Sequence, residues 1–123
     1  MSKILIVEDE KVLNEAYELI LKKAGYETES VFDGQEASSA FTKNPADLVL
    51  LDLRMPKLDG LGFLKKIQPK KNYPDTKIII FSNYDDQKEV KEALEMGADR
   101  YILKAWSSPS ELIKIVRETL ELE

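Results

Sequence analysis

Four apolar runs of the chain end on residues that could together handle a metal ion and a phosphoryl group. The first run leads into Glu8 and Asp9, a later run leads into Asp52, and two more lead into Ser82 and Lys104. Neighbouring carboxylates repel one another, and a hard divalent cation such as Mg²⁺ relieves that repulsion. A lysine and a hydroxyl facing them could hold phosphoryl oxygens, and a carboxylate can be the nucleophile that accepts the group.

The composition restricts the chemistry that such a site could perform. The 123 residues include no cysteine and no histidine, which excludes thiolate and imidazole ligands, His-based triads and a phosphohistidine role. Any metal must therefore be held by oxygen ligands, which favours Mg²⁺, Mn²⁺ or Ca²⁺. A net charge of −5 without a dense Lys/Arg run argues against direct binding of nucleic acid. We find no signal peptide or membrane-spanning stretch, so we expect a cytoplasmic location and no membrane partner.

Short apolar runs alternate with segments of helical spacing along the whole chain. Continuously apolar runs are typical of strands covered on both faces, which indicates a parallel sheet. The predicted strands are Lys3–Val7, Glu27–Val31, Asp47–Leu51, Lys77–Phe81 and Arg100–Leu103. Helical periodicity or capping patterns predict helices around residues 13–24, 33–44, 61–67, 90–94 and 108–120, with Pro69–Thr76 as a loop.

This alternation predicts one α/β domain over residues 1–123. The simplest architecture is a flavodoxin-like (βα)5 three-layer sandwich whose five-stranded parallel sheet has the order 2-1-3-4-5. Sheets of this kind bind ligands beyond the carboxyl ends of their strands, where the first and third strands adjoin. The five candidate residues all stand at such ends, so we expect them to face one crevice.

Each candidate residue also has an ordinary structural explanation. The acids around Asp9 could cap the first helix, whose N-terminus favours negative charge. Asp52 could be a polar loop residue, Ser82 a cap hydroxyl and Lys104 a solvated strand-end charge. It is their coincidence at the carboxyl ends of one sheet that favours a functional site.

The chain resembles the receiver domains of two-component response regulators from residue 3 to about residue 120. The segments that carry the resemblance are Ile4-Leu5-Ile6-Val7-Glu8-Asp9-Glu10, Leu50-Leu51-Asp52-Leu53-Arg54-Met55-Pro56-Lys57-Leu58-Asp59-Gly60, Ile79-Ile80-Phe81-Ser82 and Gly97-Ala98-Asp99-Arg100-Tyr101-Ile102-Leu103-Lys104. The resemblance implies that Asp52 is the phosphorylation site and that Ser82 and Lys104 assist it.

The resemblance also implies a ligand set, partners and a switch. Asp9 and Asp52 would bind Mg²⁺ directly, Glu8 would do so through water, and the backbone carbonyl of Arg54 would be a further ligand. The donor would be a sensor histidine kinase or a phosphotransfer protein. Ser82 and Tyr101 would switch the surface of the fourth predicted helix, fifth strand and fifth predicted helix toward an output domain or protein, or toward a phosphorylation-dependent homodimer. Such a domain catalyses only its own phosphorylation and dephosphorylation.

The chain departs from the family pattern around this site. Ala105, followed by Trp106, stands after Lys104 where the family usually has a proline joined by a cis bond, and a cis bond before alanine costs about 3 kcal/mol. Asn83 replaces a small residue, and Tyr84 lies at the rim. Arg54, also at the rim, could contact a phosphoryl oxygen or pair with surface acids.

Three other functions are alternatives to that of a phosphorylated receiver. The departures leave open a pseudo-receiver, an interaction module of the same fold that works without phosphorylation. An aspartate-nucleophile phosphohydrolase would need a second aspartate where Arg54 stands, and a cap domain. A flavodoxin would need a hydroxyl- and glycine-rich phosphate loop after the first strand, where this chain has acids.

Overall fold

The apolar runs of the sequence form a parallel sheet covered by helices on both faces. The structure, a computed structural model, describes residues 2–82, 87–104 and 108–121. The strands are β1 (Lys3–Val7), β2 (Glu27–Val31), β3 (Leu48–Leu51), β4 (Lys77–Ser82) and β5 (Arg100–Leu103). The helices are α1 (Lys11–Lys23), α2 (Gly34–Lys43), α3 (Gly60–Ile67), α4 (Pro69–Asn72), α5 (Gln87–Glu95) and α6 (Pro109–Leu120).

The strands lie in the order β2-β1-β3-β4-β5 and every neighbouring pair is parallel. The predicted flavodoxin-like α/β fold and sheet order are therefore confirmed. Val7 of β1 is in register with Val31 of β2 and with Leu51 of β3, so these three strands end level with one another. The residues that follow them are consequently brought to one edge of the sheet.

Alternate strand residues build a separate apolar core on each face of the sheet. On β1, Leu5 and Val7 pack with residues of α2, α3 and α5, whereas Ile4 and Ile6 pack with residues of α1 and α6. All four are at most 1 % exposed. The continuously apolar strands are thus covered on both sides, as their sequence predicts.

Two strand boundaries and one connection differ from the prediction. β3 begins at Leu48, one residue later than expected, and β4 continues one residue further, to Ser82. The prediction that Pro69–Thr76 is a loop is wrong for its first half, because Pro69–Asn72 forms the short helix α4. Gln68 adopts a left-handed conformation with φ 47° that ends α3, and Pro69 is favoured in the first turn of the new helix.

The predicted capping residues begin two of the helices. The Asp33 side chain accepts a hydrogen bond from the Glu36 backbone N–H at 2.8 Å, and Ser108 accepts one from the Glu111 backbone N–H at 3.3 Å. By contrast, α1 begins after Glu10 without any side-chain capping hydrogen bond. In the part of the chain that the structure covers, no helix is both long and apolar enough to span a membrane.

Candidate functional site

The five candidate residues lie together at the carboxyl edge of the sheet. Glu8 and Asp9 follow β1, Asp52 follows β3, Ser82 is the last residue of β4, and Lys104 follows β5. The sheet order makes β1, β3, β4 and β5 successive neighbours, so their ends form one crevice. Glu8, Asp52 and Ser82 are buried there, whereas Asp9 is exposed at the rim.

Lys104 joins two of the carboxylates. Its ammonium donates a hydrogen bond to Glu8 Oε1 and another to Asp52 Oδ2, the latter at 3.1 Å. The second oxygen of each acid accepts from a nearby backbone N–H, Glu8 from Glu10 and Asp52 from Arg54, both at 3.1 Å. Each of the two buried acids therefore has both oxygens hydrogen-bonded.

Asp9 completes a group of three carboxylates that could hold a metal ion. One oxygen from each of Glu8, Asp9 and Asp52 lies within 4.8 Å of the other two. Among the described residues, the Asp9 side chain makes neither an ion pair nor a hydrogen bond, and the acids after β1 do not cap α1. Carboxylate oxygens beside solvent are the donor set that Mg²⁺ prefers, because this ion keeps several of its waters. The residues present therefore fit such an ion.

Burial and charge act in opposite directions on the ionisation of this cluster. Burial raises the pKa of Glu8 to about 7, although the hydrogen bond from Lys104 favours its charged form. Burial alone would lower the pKa of Lys104, but the hydrogen bond to Glu8 and the charge of Asp52 outweigh it and raise that pKa. Lys104 therefore stays charged, and burial makes Glu8 easier to protonate than an exposed glutamate.

The loop that carries Asp52 is fixed at both ends by backbone contacts. The Gly60 N–H donates to the Leu53 carbonyl at 2.9 Å, and a Cβ on Gly60 would lie only 2.6 Å from the Asp52 carbonyl oxygen. Further along the loop, the Leu58 carbonyl accepts from the N–H of Gly34 at 2.8 Å. Gly60 is needed at its position because any side chain there would push the loop away from Asp52.

Ion pairs tie the same loop to two helices. The Arg54 guanidinium donates to Glu89 of α5 at 2.8 Å. Of the two contacts considered for Arg54, a phosphoryl oxygen or a surface acid, the structure therefore contains the second. Lys57 lies 3.6 Å from Asp33 at the start of α2. The sequence predicted neither of these pairings, and no local pattern could have paired Arg54 with a residue 35 positions away.

Asn14 is a buried polar residue that the sequence analysis missed. It is fully buried in α1, and its amide donates to the backbone carbonyls of Glu8 at 3.0 Å and Val31 at 2.9 Å. A signal was present, because Asn14 stands seven residues before the buried Leu21 and so lies on the inward face of the helix. A polar residue on such a face is unusual unless it has buried partners.

The remaining predictions concern the switch and the rim. Tyr101 on β5 is half-buried and packs against the core on the α2, α3 and α5 side of the sheet. Asn83, Tyr84, Ala105 and Trp106 lie outside the described residues. Their roles, and the form of the Lys104–Ala105 bond, therefore stay predictions.

Comparison with known proteins identifies the family. A family model described as the response regulator receiver domain matches residues 4–117. The chain belongs to this family. This match confirms the resemblance seen in the sequence. Receiver domains are signalling domains of two-component systems rather than classical enzymes.

Known proteins resemble this receiver domain in sequence or in fold. The probable transcriptional regulator ycf27 of Porphyridium aerugineum is 39% identical over 118 residues, which are 96% of this chain and 48% of that protein. A CheY-like receiver domain protein of Methanospirillum hungatei is 30% identical with a TM-score of 0.89, over 98% of this chain and 94% of that one. The BeF3-activated N-terminal receiver domain of Klebsiella pneumoniae RstA is 28% identical with a TM-score of 0.86, over 98% and 99%. The chain spans about half the length of the curated relatives that it matches.

Proposed function

We propose that this receiver domain accepts a phosphoryl group on Asp52 in a Mg²⁺-dependent reaction and relays that event through α5, β5 and α6. The observation that carries the proposal is the carboxylate group of Glu8, Asp9 and Asp52, whose oxygens lie within 4.8 Å of one another. Lys104 adds a buried ammonium in direct contact with Asp52. A phosphorylation-independent pseudo-receiver is not favoured, because the three acids, Ser82 and Lys104 that the resemblance assigns to the phosphoryl site stand at one edge of the sheet.

In the proposed reaction, a carboxylate oxygen of Asp52 attacks the phosphorus of the donor. A new O–P bond forms while the bond from phosphorus to the donor's leaving atom breaks, and the electron pair of that bond departs with the donor. Lys104 would hold a phosphoryl oxygen by charge, and the Ser82 hydroxyl at the end of the adjacent strand would donate a hydrogen bond to another. The product is an acyl phosphate on Asp52.

The chain's own oxygens would hold the divalent ion. Asp9 and Asp52 would bind Mg²⁺ directly, Glu8 through water, and the Arg54 backbone carbonyl would complete the protein ligands, with Mn²⁺ able to use the same donors. When bound, the ion neutralises charge on the carboxylates and on the phosphoryl oxygens. Of the three acids, Asp9 is the one that can bind the ion without giving up a hydrogen bond in the described structure. We therefore propose that Asp9 contributes most to metal recognition.

Mass measurement tests the acceptor directly. Incubation with acetyl phosphate and Mg²⁺ should add one phosphoryl mass to the wild type and none to Asp52→Asn. Asp33→Asn is the matched control, because Asp33 is another buried acid near the same edge of the sheet, and it should be labelled like the wild type. Labelling of Asp52→Asn to the wild-type extent would refute the proposal.

The proposed output surface comprises α5, β5 and α6. Ser82 ends the strand that precedes α5, and Lys104 follows the strand that carries Tyr101, so both phosphoryl contacts connect directly to these elements. Phosphorylation would draw Ser82 inward and let Tyr101 move into the space, and two states that differ by a few kcal/mol suffice for such a shift. Exposed charges on α5, at Lys88, Lys91 and Glu95, would make partner binding sensitive to salt.

Amide chemical shifts test this relay. With beryllofluoride and Mg²⁺, changes should spread from Ser82 through Tyr101 to α6. Changes confined to the residues around Glu8, Asp9 and Asp52 would mean that the domain binds the phosphoryl mimic without switching, which would contradict the relay.

The donor surface is proposed to include an apolar stripe on α1. Val12 and Leu19 are 79% and 56% exposed, and with exposed Ala16 between them they share one helix face that begins beside Asp9. Asp52 is only 7% exposed, so a protein donor must cover the rim in order to reach it. We assign the stripe to contact with the sensor histidine kinase or phosphotransfer protein. Leu19→Ser should slow phosphorylation by the protein donor and leave labelling by acetyl phosphate unchanged.

The output partner belongs to the same proposal. One relative is named as a probable transcriptional regulator, and this chain covers 48% of it. By analogy, we propose that the phosphorylated surface acts on an output domain or protein, or pairs with a second copy of itself.

A further inference from the structure

Asn14 occupies an unusual position for an amide. Its side chain is completely buried in the first turns of α1, where both of its N–H groups are used and its Oδ1 has no hydrogen-bond partner. A buried oxygen without a partner destabilises a fold, and a leucine of similar size would avoid that penalty. The two N–H donors of the amide, by contrast, have specific targets in two backbone carbonyls, which a leucine could not satisfy.

Both donors of Asn14 act on the ends of strands at the functional edge. One holds the carbonyl of Glu8, and the other holds the carbonyl of Val31, which also accepts from the Glu8 N–H at 3.2 Å. Side chains on a helix lean toward its N-terminus, so a residue in the first turns of α1 reaches back over the β1–α1 connection. Asn14 thus fixes the backbone on both sides of the Glu8 side chain.

The held carbonyl also determines where Asp9 lies. The Glu8 carbonyl and the Asp9 N–H belong to one planar peptide unit, so fixing the carbonyl fixes the direction in which the chain enters Asp9. No described side chain binds the Asp9 carboxylate, and α1 has no side-chain cap. The backbone is therefore what keeps that carboxylate within 4.8 Å of those of Glu8 and Asp52.

We infer that Asn14 is a positioning residue of the metal site, which sets the carboxylates of Glu8 and Asp9 for a divalent cation without touching the ion. This inference rests on the proposed function, because it concerns the ion that phosphorylation of Asp52 would need. A residue that hydrogen-bonds to a metal ligand without touching the metal supports the position of that ligand. Its replacement typically weakens metal affinity about 10- to 100-fold.

The test measures Mg²⁺ affinity apart from phosphorylation. Calorimetric or NMR titration with Mg²⁺ alone compares the wild type with Asn14→Leu, at a temperature at which circular dichroism shows every protein to be folded. Asn14→Gln is the second variant, since it keeps the amide donors on a longer side chain and provides a folded reference if the leucine variant is unstable. Ser38→Ala is the matched control, because Ser38 is the other buried side chain of the described chain with an unpaired oxygen, and it lies on α2.

The inference predicts that Asn14→Leu binds Mg²⁺ about tenfold or more weakly, while Ser38→Ala binds it like the wild type. Asn14→Gln should lie between the wild type and Asn14→Leu. Wild-type affinity in Asn14→Leu, or an equal loss in Ser38→Ala, would overturn the inference and show that Asn14 only supports the fold. A wild type that does not bind Mg²⁺ would overturn the metal site of the proposed function itself, which is a separate result.

Discussion

Two buried acids near the same edge of the sheet carry opposite pKa shifts. Glu8 follows β1, and burial raises its pKa to about 7, even though Lys104 contacts it. Asp33 lies two residues after the neighbouring strand β2, and the backbone N–H of Glu36 lowers its pKa. Each acid also has one lysine near it, so the lysines do not explain the difference.

The difference lies in the largest influence on each pKa, which is burial at Glu8 and the backbone hydrogen bond from Glu36 at Asp33. Asp33 faces the N-terminus of α2, where backbone N–H groups and the helix dipole stabilise its charge permanently. Glu8 shares its crevice with Asp9 and Asp52, so one ammonium must serve a group of like charges. A capping carboxylate such as Asp33 is stabilised by the fold itself. The group of Glu8, Asp9 and Asp52 is stabilised further by a divalent cation.

Replacing the two lysines should give the largest contrast between these regions. Lys104→Met removes a 7% exposed ammonium from buried acids and should lower the free energy of unfolding by about 3 kcal/mol without metal. Lys57→Met removes a 62% exposed ammonium 3.6 Å from Asp33 and should change the free energy of unfolding by less than about 1 kcal/mol. Urea unfolding of both variants checks this, and equal effects would break the comparison.

Asp33 should behave as a helix cap with a pH-dependent contribution. Asp33→Ala should cost about 1 kcal/mol, whereas Asp33→Asn keeps a good capping residue and should cost less. Because the folded pKa lies below the unfolded value of about 3.9, the charge of Asp33 stabilises the fold above that pH. This electrostatic contribution to stability is lost as the pH falls through the pKa of Asp33 in the folded protein.

The measurement is the stability of the wild type relative to Asp33→Asn between pH 7 and pH 3. Their difference should be constant at the upper end and should shrink below about pH 4. A difference that grows on acidification would contradict the assigned direction of the shift.

The ion pair between Arg54 and Glu89 should give the smallest effect. Its partners are 45% and 25% exposed, so solvent screens the attraction and the pair should couple by less than about 1 kcal/mol. A double-mutant cycle with Arg54→Ala and Glu89→Gln measures that coupling. A larger value would place this pair with the buried cluster around Lys104 rather than with the exposed pair at Lys57.

The positions of the site residues were predictable because parallel α/β sheets follow simple rules. Continuously apolar strands must be covered on both faces, and their alternation with helices led to the observed strand order. Once that order was assumed, the residue after each strand had to lie at one edge, which brought Glu8, Asp52 and Lys104 together. Those residues could be found without any knowledge of side-chain geometry.

The pairings among side chains were not predictable in the same way. Lys104 contacts Glu8 as well as Asp52, and Arg54 selects Glu89, because packing brings together rotamers from distant segments. The burial that shifts the pKa of Glu8 is likewise a property of the assembled crevice. The short helix at Pro69–Asn72 could not be distinguished from a linker by its sequence, because proline suits the first turn of a helix as well as a loop.

Thermal or chemical unfolding with and without Mg²⁺ tests the central distinction between the two acidic regions most directly. Ligand binding to the folded state alone adds about 2.7 kcal/mol at a hundredfold excess over Kd. The wild type and Asp33→Asn should both gain stability on this scale, whereas Asp9→Asn should be slightly more stable without metal and should gain little from it. A gain that is unchanged in Asp9→Asn but abolished in Asp33→Asn would contradict the assignment of the cation site.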